Sequence, residues 1–475
     1  MRLGAIERRV QHVETRPRLW LLVALLLPAL PIRAWWYATP DGVAYLSIAR
    51  RLAAGLAPAR LGDAQLGYPL GYPLLISPAF WVDPRPWLTL AIMHWGLAAL
   101  FLLGVQGWAR RQLGAAGVWV TLLCAVNVNV WILYRRTLSE AAFCAVLPWT
   151  VLALDRVLDA LVTGARARRA LCAAAPLLLL LIAIREVGLL FAVGAGVAAA
   201  VRLRRGALPW RRAVPALAGI AAVAVLGLGV IRPERIAAAG PVFAGRAGDY
   251  ADAAVAVGTT LAARVYLRMT EIGQLLVPGM FKAYGDRWLD LNTLVYAPLV
   301  LLVAIGWWRL WRDNADVLSA AVPLYIALFL AWPYAAGTRY LLPLLPVWWA
   351  ALWRATAAYP HRRAVFAGLA LAHLGVAIGY VVLIDAPRAR VCDAQWPMVE
   401  QVTAEVGSDP LRAIDTPDCV RLMLEVARDR PVDVGRGSEA APPSAVWVLA
   451  PRDVELSEAF AVESVAGGYQ LARRR

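Results

Sequence analysis

Lysine is all but missing from this sequence: of 48 basic residues, Lys282 is the only lysine. An arginine-biased composition of this kind accounts for much of the formal charge of +16 without a nucleic-acid partner. It also excludes a Walker-type phosphate loop, because Lys282 is followed by alanine and no second lysine exists. ATP hydrolysis by the chain is therefore not expected. The four histidines, His12, His94, His361 and His373, are scattered, and no pair has zinc-ligand spacing. Cysteine is equally sparse, with Cys124, Cys144 and Cys172 single in apolar runs and Cys392 and Cys419 in a polar tail. A Gly-x-Ser-x-Gly elbow is absent, which removes the usual foothold for serine-hydrolase chemistry. Gly435-Arg436-Gly437 begins like a nucleotide-binding glycine motif, but Pro442 and Pro443 stand where its helix would start.

What the sequence has in abundance is apolar length. Hydrophobic residues make up 61% of the 475 positions, and the mean hydropathy is +0.60, a composition that reads as a polytopic membrane protein. Runs of about 20 apolar residues, the length a bilayer requires, fall near 19–38, 87–109, 114–134, 139–158, 213–232, 293–311, 317–334, 340–356 and 364–384. The run at 170–201 would be roughly 48 Å long as one helix, too long for one span. Arginines flank both of its ends, so it is expected to split into a hairpin near Arg185, Glu186 and Gly188. About 11 transmembrane segments result, the first being an uncleaved span with Arg8, Arg9, Arg16 and Arg18 ahead of it. Arginine clusters at 110–111, 166–169, 202–212, 309–312 and 362–363 place those ends in the cytoplasm. Loops 39–86 and 233–292 and the tail after 385 then lie outside. The expected organisation is a transmembrane domain over 1–384 followed by a small external α/β domain over 385–475. In that tail, strands are expected at 411–415, 432–434 and 446–449 and helices at 396–406 and 419–428. An external tail also permits a Cys392–Cys419 disulfide.

The stretch Thr39 to Gly55 organises the rest. Asp41 follows Pro40 and opens a segment in which Tyr45, Ile48, Ala49, Leu52 and Ala53 recur at helical spacing. The spacing predicts an amphipathic helix on the membrane surface, with Asp41 either its cap or a reactive carboxylate. The repeated Gly-Tyr-Pro at 67–69 and 71–73 marks turns, whose Tyr68 and Tyr72 serve as interfacial anchors or as ligand contacts. A second surface helix is expected around 251–277, ahead of Lys282. Charge close to hydrocarbon is expensive and usually functional. The charges at the external ends of the spans are Asp41, Arg135, Arg136, Glu140, Arg185, Glu186, Lys282 and Arg339.

In order along the chain, Tyr45-x-x-x-Ala49-x-x-Leu52-x-x-Gly55 after Asp41, then Tyr134-Arg135-Arg136-Thr137-Leu138-Ser139-Glu140, then Thr338-Arg339-Tyr340-Leu341-Leu342-Pro343, resemble the GT-C membrane glycosyltransferases. Within them the chain is most similar to bacterial relatives of protein O-mannosyltransferases and of the lipid A aminoarabinose transferase, over about 1 to 385. The sequence departs from many relatives at Gly42, where an Asp-Glu pair is common; Glu140 is then the second carboxylate, supplied from another helix. The resemblance implies a bacterial inner-membrane enzyme with its site on the periplasmic face. Its partners would be a polyprenyl-phosphate sugar donor, a glycan, lipid or protein acceptor, and membrane lipids, with no nucleic acid. A phosphate leaving group needs no protonation, so one base and cations for the phosphate suffice. Asp41 is the expected base, with Glu140 beside it. Arg135, Lys282 and Arg339 would hold phosphate, and Tyr45, Tyr68, Tyr72, Arg185 and Tyr340 would line the substrate site. A single displacement would invert the anomeric centre. No metal ligand set is expected, although a divalent cation beside Asp41 is compatible with the chemistry. The competing reading is a secondary transporter or lipid flippase, against which stand the lack of an internal repeat and the placement of charge at span ends.

Overall fold

Gly114 and Asn127 mark two of the turns between apolar helices in the computed structural model. The structure describes residues 11–30, 39–59, 61, 68–83, 85–165, 167–231, 261–277, 291–331, 337–387, 390, 394–407, 409–414, 418–428, 432–435, 447–451, 460–466 and 469–474. Lys282, Cys392 and the side chain of Cys419 lie outside these residues, and with them the expected phosphate lysine and disulfide.

Helix α1 (Pro17–Leu26) starts on proline and tightens into a 3-10 turn through Ala29. Helix α2 (Pro40–Ala53) follows, then the short α3 (Gly71–Ile76). Helix α4 (Trp87–Leu113) is about 40 Å long at 1.5 Å per residue and ends at Gly114, whose φ of +62° suits glycine. Helix α5 (Gly117–Val126) folds back against it. Asn127 then leaves the helical region and caps α6 (Val128–Tyr134) by accepting the Asn129 amide at 3.0 Å. The run at 114–134 is thus bent in two. Helix α7 (Ser139–Thr163) spans the bundle.

The apolar run after it splits as its arginine flanks require. Helix α8 (Ala167–Ile184) and helix α9 (Leu189–Arg204) are joined by a 3-10 turn, with Arg185 extended at the break. Helices α10 (Trp210–Ile231), α11 (Leu261–Leu276), α12 (Leu291–Asp313) and α13 (Val317–Ala331) follow. The run at 340–356 holds two 3-10 turns over 338–344 before a short helix α14 (Leu345–Ala355). The membrane part closes with α15 (Arg362–Tyr380) and a π turn to Asp385. Among the described residues, seven helices are long and apolar enough to cross a membrane, and Pro17–Ala29 and Val317–Ala331 add shorter apolar pieces. The chain is a polytopic helical membrane protein.

Buried carboxylates fasten one end of the bundle. Asp316 accepts the Leu318 and Ser319 amides at 3.0 and 3.1 Å, and Trp108 Nε1 at 3.1 Å, so that it caps α13 while holding α4. Asp155 on α7 accepts the Val317 amide at 3.1 Å. This fastening lies about 22 Å along α7 from Glu140, at the opposite end.

The tail forms a five-stranded sheet in the order β2-β1-β3-β5-β4, from β1 (Leu411–Ile414), β2 (Asp433–Gly435), β3 (Trp447–Pro451), β4 (Phe460–Ala466) and β5 (Tyr469–Arg474). The first three strands are parallel and the last two are antiparallel additions. Helices α16 (Trp396–Val406) and α17 (Asp418–Arg428) complete it. This unit rests on α2 and on the start of α4. Trp396 stacks on Trp87 with ring centroids 5.6 Å apart, Glu400 pairs with Arg85, and Arg50 Nη1 donates to the Ala427 carbonyl at 3.2 Å. Residues 42–49 are consequently buried, so α2 is a covered helix rather than one with an open amphipathic face.

Glycine sets the closest helix approach. A Cβ added at Gly306 in α12 would lie 1.8 Å from the Ala351 carbonyl oxygen of α14, whereas one added at Gly368 in α15 meets nothing within 4 Å. Gly306→Ala is expected to destabilise the protein by about 1–3 kcal/mol or more through overpacking. Gly368→Ala should be neutral or slightly stabilising. Thermal unfolding midpoints of the two variants in detergent check the contrast.

Candidate functional site

The site begins at the N-terminus of α2. Thr39 is extended, and its hydroxyl oxygen accepts the Gly42 amide at 3.0 Å, while Pro40 occupies the first helical position. Thr39 is therefore the cap, and Asp41 is not. The capping role that the sequence allows for Asp41 is thereby taken by Thr39. A Cβ at Gly42 would fall 2.7 Å from Thr39 Oγ1 and 3.2 Å from the Thr137 carbonyl, so there is no room for a second carboxylate at that position.

Freed from capping, Asp41 accepts Tyr68 OH on Oδ1 at 3.1 Å and Arg339 Nη1 on Oδ2 at 3.0 Å. Glu140, in the first turn of α7, supplies the second carboxylate. Both carboxylates sit at positive helix ends, which favours their charge. Arg185 Nη1 pairs with Glu140 Oε1 at 2.8 Å, and Arg339 Nε lies 3.6 Å from the same oxygen. Arg339 thus bridges Asp41 and Glu140. Arg185 reaches the site because the α8–α9 break turns it out of helical geometry.

Ser139 ties the lower layer together. Its hydroxyl contacts Tyr45 OH at 2.8 Å and Glu140 Oε2 at 3.4 Å, and accepts Arg185 Nη1 at 3.1 Å. Tyr45 is buried and packs edge-on against Tyr68 and Tyr72, with centroids 5.1 and 5.0 Å away. Tyr72 is fully buried, with its hydroxyl 2.9 Å from His94 Nε2. Of the three tyrosines, Tyr68 alone touches Asp41, while Tyr45 and Tyr72 form the floor. Tyr340 lies between the two cations, its ring 5.2 Å from the Arg185 guanidinium and 4.7 Å from that of Arg339. Its hydroxyl also accepts Arg339 Nη2 at 2.9 Å.

Burial works against the charge of Arg185, but Glu140 and the neighbouring phenols outweigh it and raise its pKa above the usual range. Arg339 behaves alike: burial opposes its charge, while Glu140, Tyr340 and Asp41 raise its pKa. Both guanidiniums stay cationic. Burial first, and then Glu140, pushes the Tyr45 phenol up, so it remains neutral.

Asp41, Glu140, Arg185, Arg339, Tyr45, Tyr68, Tyr72 and Tyr340 are brought together. Arg135 is not, because it pairs with Asp385 at 2.5 Å beyond the end of α15. Ser139 and Tyr325, whose hydroxyl donates to the Tyr340 carbonyl at 2.8 Å, were not legible as site residues. Ser139 adjoins Glu140 and was open to notice, whereas Tyr325 sits in an apolar run with no marking signal. Among the described residues, no group of three or more His, Cys, Asp or Glu side chains is arranged to hold a metal ion. An arginine stands between the two carboxylates and bridges them.

The two arginines differ in what they support. Glu140 has only 4% of its side chain exposed and depends on Arg185, whereas Arg339 and Asp41 are 37% and 32% exposed. Arg185→Ala is expected to cost about 3 kcal/mol of stability by leaving a buried carboxylate poorly compensated. Arg339→Ala should cost about 1 kcal/mol or less. Thermal unfolding of both variants in the same detergent tests this order.

No family model and no curated protein matches this sequence. Solved structures do. ArnT from Cupriavidus metallidurans bound to undecaprenyl phosphate, a lipid A aminoarabinose transferase, is similar over 96% of this chain and 97% of its own, at 13% identity and a TM-score of 0.56. Its apo state gives 14% identity and a TM-score of 0.54 over the same shares. The Archaeoglobus fulgidus oligosaccharyltransferase tethered with an acceptor peptide is similar over 91% of this chain and 68% of its own, at 15% identity and a TM-score of 0.51. The chain has the fold of the GT-C membrane glycosyltransferases.

Proposed function

We propose that this protein transfers a sugar from a polyprenyl-phosphate donor to an acceptor hydroxyl at the external membrane face, with Asp41 as the base. The observation that carries the reading is the state of Asp41. It is relieved of capping by Thr39, partly exposed at 32%, and held by a phenol and by the movable end of Arg339. The carriers and acceptors of proteins with this fold also support it, since one is bound to undecaprenyl phosphate and another is tethered with an acceptor peptide.

The chemistry follows from the charges. Before donor binds, Arg339 Nη1 occupies Asp41 Oδ2 in an ion pair at 3.0 Å. A donor phosphate competes for the same planar donors, to which a guanidinium bonds in bidentate fashion. As Arg339 turns toward phosphate, Asp41 Oδ2 is left open to accept the proton of the acceptor hydroxyl. That oxygen attacks the anomeric carbon as the bond to phosphate breaks, and the phosphate leaves as an anion stabilised by Arg339. Attack from the face opposite the leaving group inverts the centre. Glu140, fixed by Arg185 and Ser139, keeps Arg339 within reach of both positions.

Asp41→Asn is expected to fold and to bind undecaprenyl phosphate, yet to lose about 10² to 10⁴ in transfer rate. Because Thr39 is the cap, the substitution leaves the helix start intact. Purified protein incubated with a panel of polyprenyl-phosphate sugars and membrane extract provides the assay. Wild-type turnover in Asp41→Asn would move the base to Glu140.

On sidedness, the tail domain rests against α2, so both belong to one compartment. The arginine clusters favour the periplasmic side of a bacterial inner membrane. Single cysteines introduced at Arg50 and at Val462 should both react with an impermeant reagent in intact spheroplasts, while one at Arg205 should not. Labelling of Arg205 alone would invert the topology.

A further inference from the structure

Arg339 is carried by the turn Gly337–Tyr340, and each of the other three residues in it is held by a different element. The Gly337 amide donates to Glu271 Oε1 on α11 at 2.8 Å. The Thr338 hydroxyl donates to Asn129 Oδ1 on α6 at 2.9 Å. The Tyr340 carbonyl accepts Tyr325 OH from α13 at 2.8 Å. Gly337 itself has φ +75°, a conformation that favours glycine over other residues. Arg339 is left to extend toward Asp41 and Glu140.

Glu271 is the least expected of the anchors. It is 4% exposed, and Arg268, which is 3% exposed, pairs with its Oε2 at 2.5 Å. A buried carboxylate is costly unless its oxygens are engaged, and here one oxygen goes to the cation and the other to a turn amide. Helix α11 is moored separately at its far end, where the Leu275 carbonyl accepts Asn127 Nδ2 at 2.7 Å and the Leu276 carbonyl lies 3.3 Å from His373 Nε2. Helix α11 thus has moorings besides Glu271. Asn127 and Asn129 flank one helix break, which both fastens α11 and holds Thr338.

We infer that Glu271 is a positioning residue that, with Asn129, aims Arg339 into the two-carboxylate site. The inference rests on the function proposed above in that the ligand delivered to Arg339 is a lipid-linked phosphate. A role confined to packing would act equally whether or not Arg339 is present, so coupling between the two residues distinguishes the cases.

Two measurements on the purified full-length protein decide it. In the ligand-free protein, hydrogen exchange of a peptide spanning 337–341 should quicken about tenfold in Glu271→Ala. It should stay near wild type in Glu271→Gln, which keeps an oxygen for the Gly337 amide. Unchanged exchange in Glu271→Ala overturns the inference whatever the protein binds. In a binding titration with undecaprenyl phosphate, Glu271→Ala and Arg339→Ala should each weaken affinity about tenfold, with the double variant no weaker than Arg339→Ala alone. Additive losses would assign Glu271 to packing and overturn the inference. Should Glu271→Ala fail to fold, Asn129→Ala is combined with Arg339→Ala and read in the same way. Absence of undecaprenyl-phosphate binding by the wild type would instead remove the functional reading, leaving the exchange measurement to decide the positioning.

Discussion

The guanidinium of Arg339 between Asp41 and Glu140 is the contact on which the working end of this molecule depends. It joins the N-terminus of α2, the N-terminus of α7 and the turn before α14, positions separated by up to 298 residues along the chain. Two of those positions are helix starts and the third is a 3-10 turn. Irregular backbone at membrane depth persists only where protein buries it or where it lines a cavity. The breaks at Asn127, Arg185 and Gly337 contribute to one end of the bundle, and the side chains they release are those that satisfy one another there.

Much of this was legible because charge is conspicuous in an apolar chain. Asp41, Glu140, Arg185 and Arg339 stand out at the ends of hydrophobic runs, and the arginines on both sides of 170–201 demanded the break that puts Arg185 in the site. The tail helix at 396–406 was readable from its apolar spacing and nearby glycine. What escaped notice depends on contacts between distant parts of the chain. Thr39 outcompetes Asp41 for the cap because Pro40 fixes the helix start two residues earlier than charge alone suggests. The run at 340–356 is apolar enough for a span, yet the first residues are held as a turn by Glu271, Asn129 and Tyr325, none of them nearby in sequence. Strands β4 and β5 were missed because they are antiparallel additions whose alternation is interrupted by a bulge between Val462 and Ser464. Gly42 looked like a lost carboxylate, and the structure gives a steric reason for it in the Thr39 hydroxyl and the Thr137 carbonyl.

The two ends of α7 show how similar carboxylates are put to different uses. Asp155, with no side-chain exposure, and Asp316 on the neighbouring connection are held by backbone amides at the start of α13 and by Trp108. Those donors belong to a helix end and an indole packed in the core, and they cannot leave without unfolding the contact. Asp41, at the other end, is held by the tips of Tyr68 and Arg339, whose side chains can rotate while the backbone stays in place. A carboxylate fixed by immovable donors stabilises a fold. One held by a partly exposed cation can exchange that partner for a ligand. The Asp41 end thus differs from the Asp155 end in its donors, which are the tips of partly exposed side chains in place of the backbone amides and buried indole that hold Asp155 and Asp316.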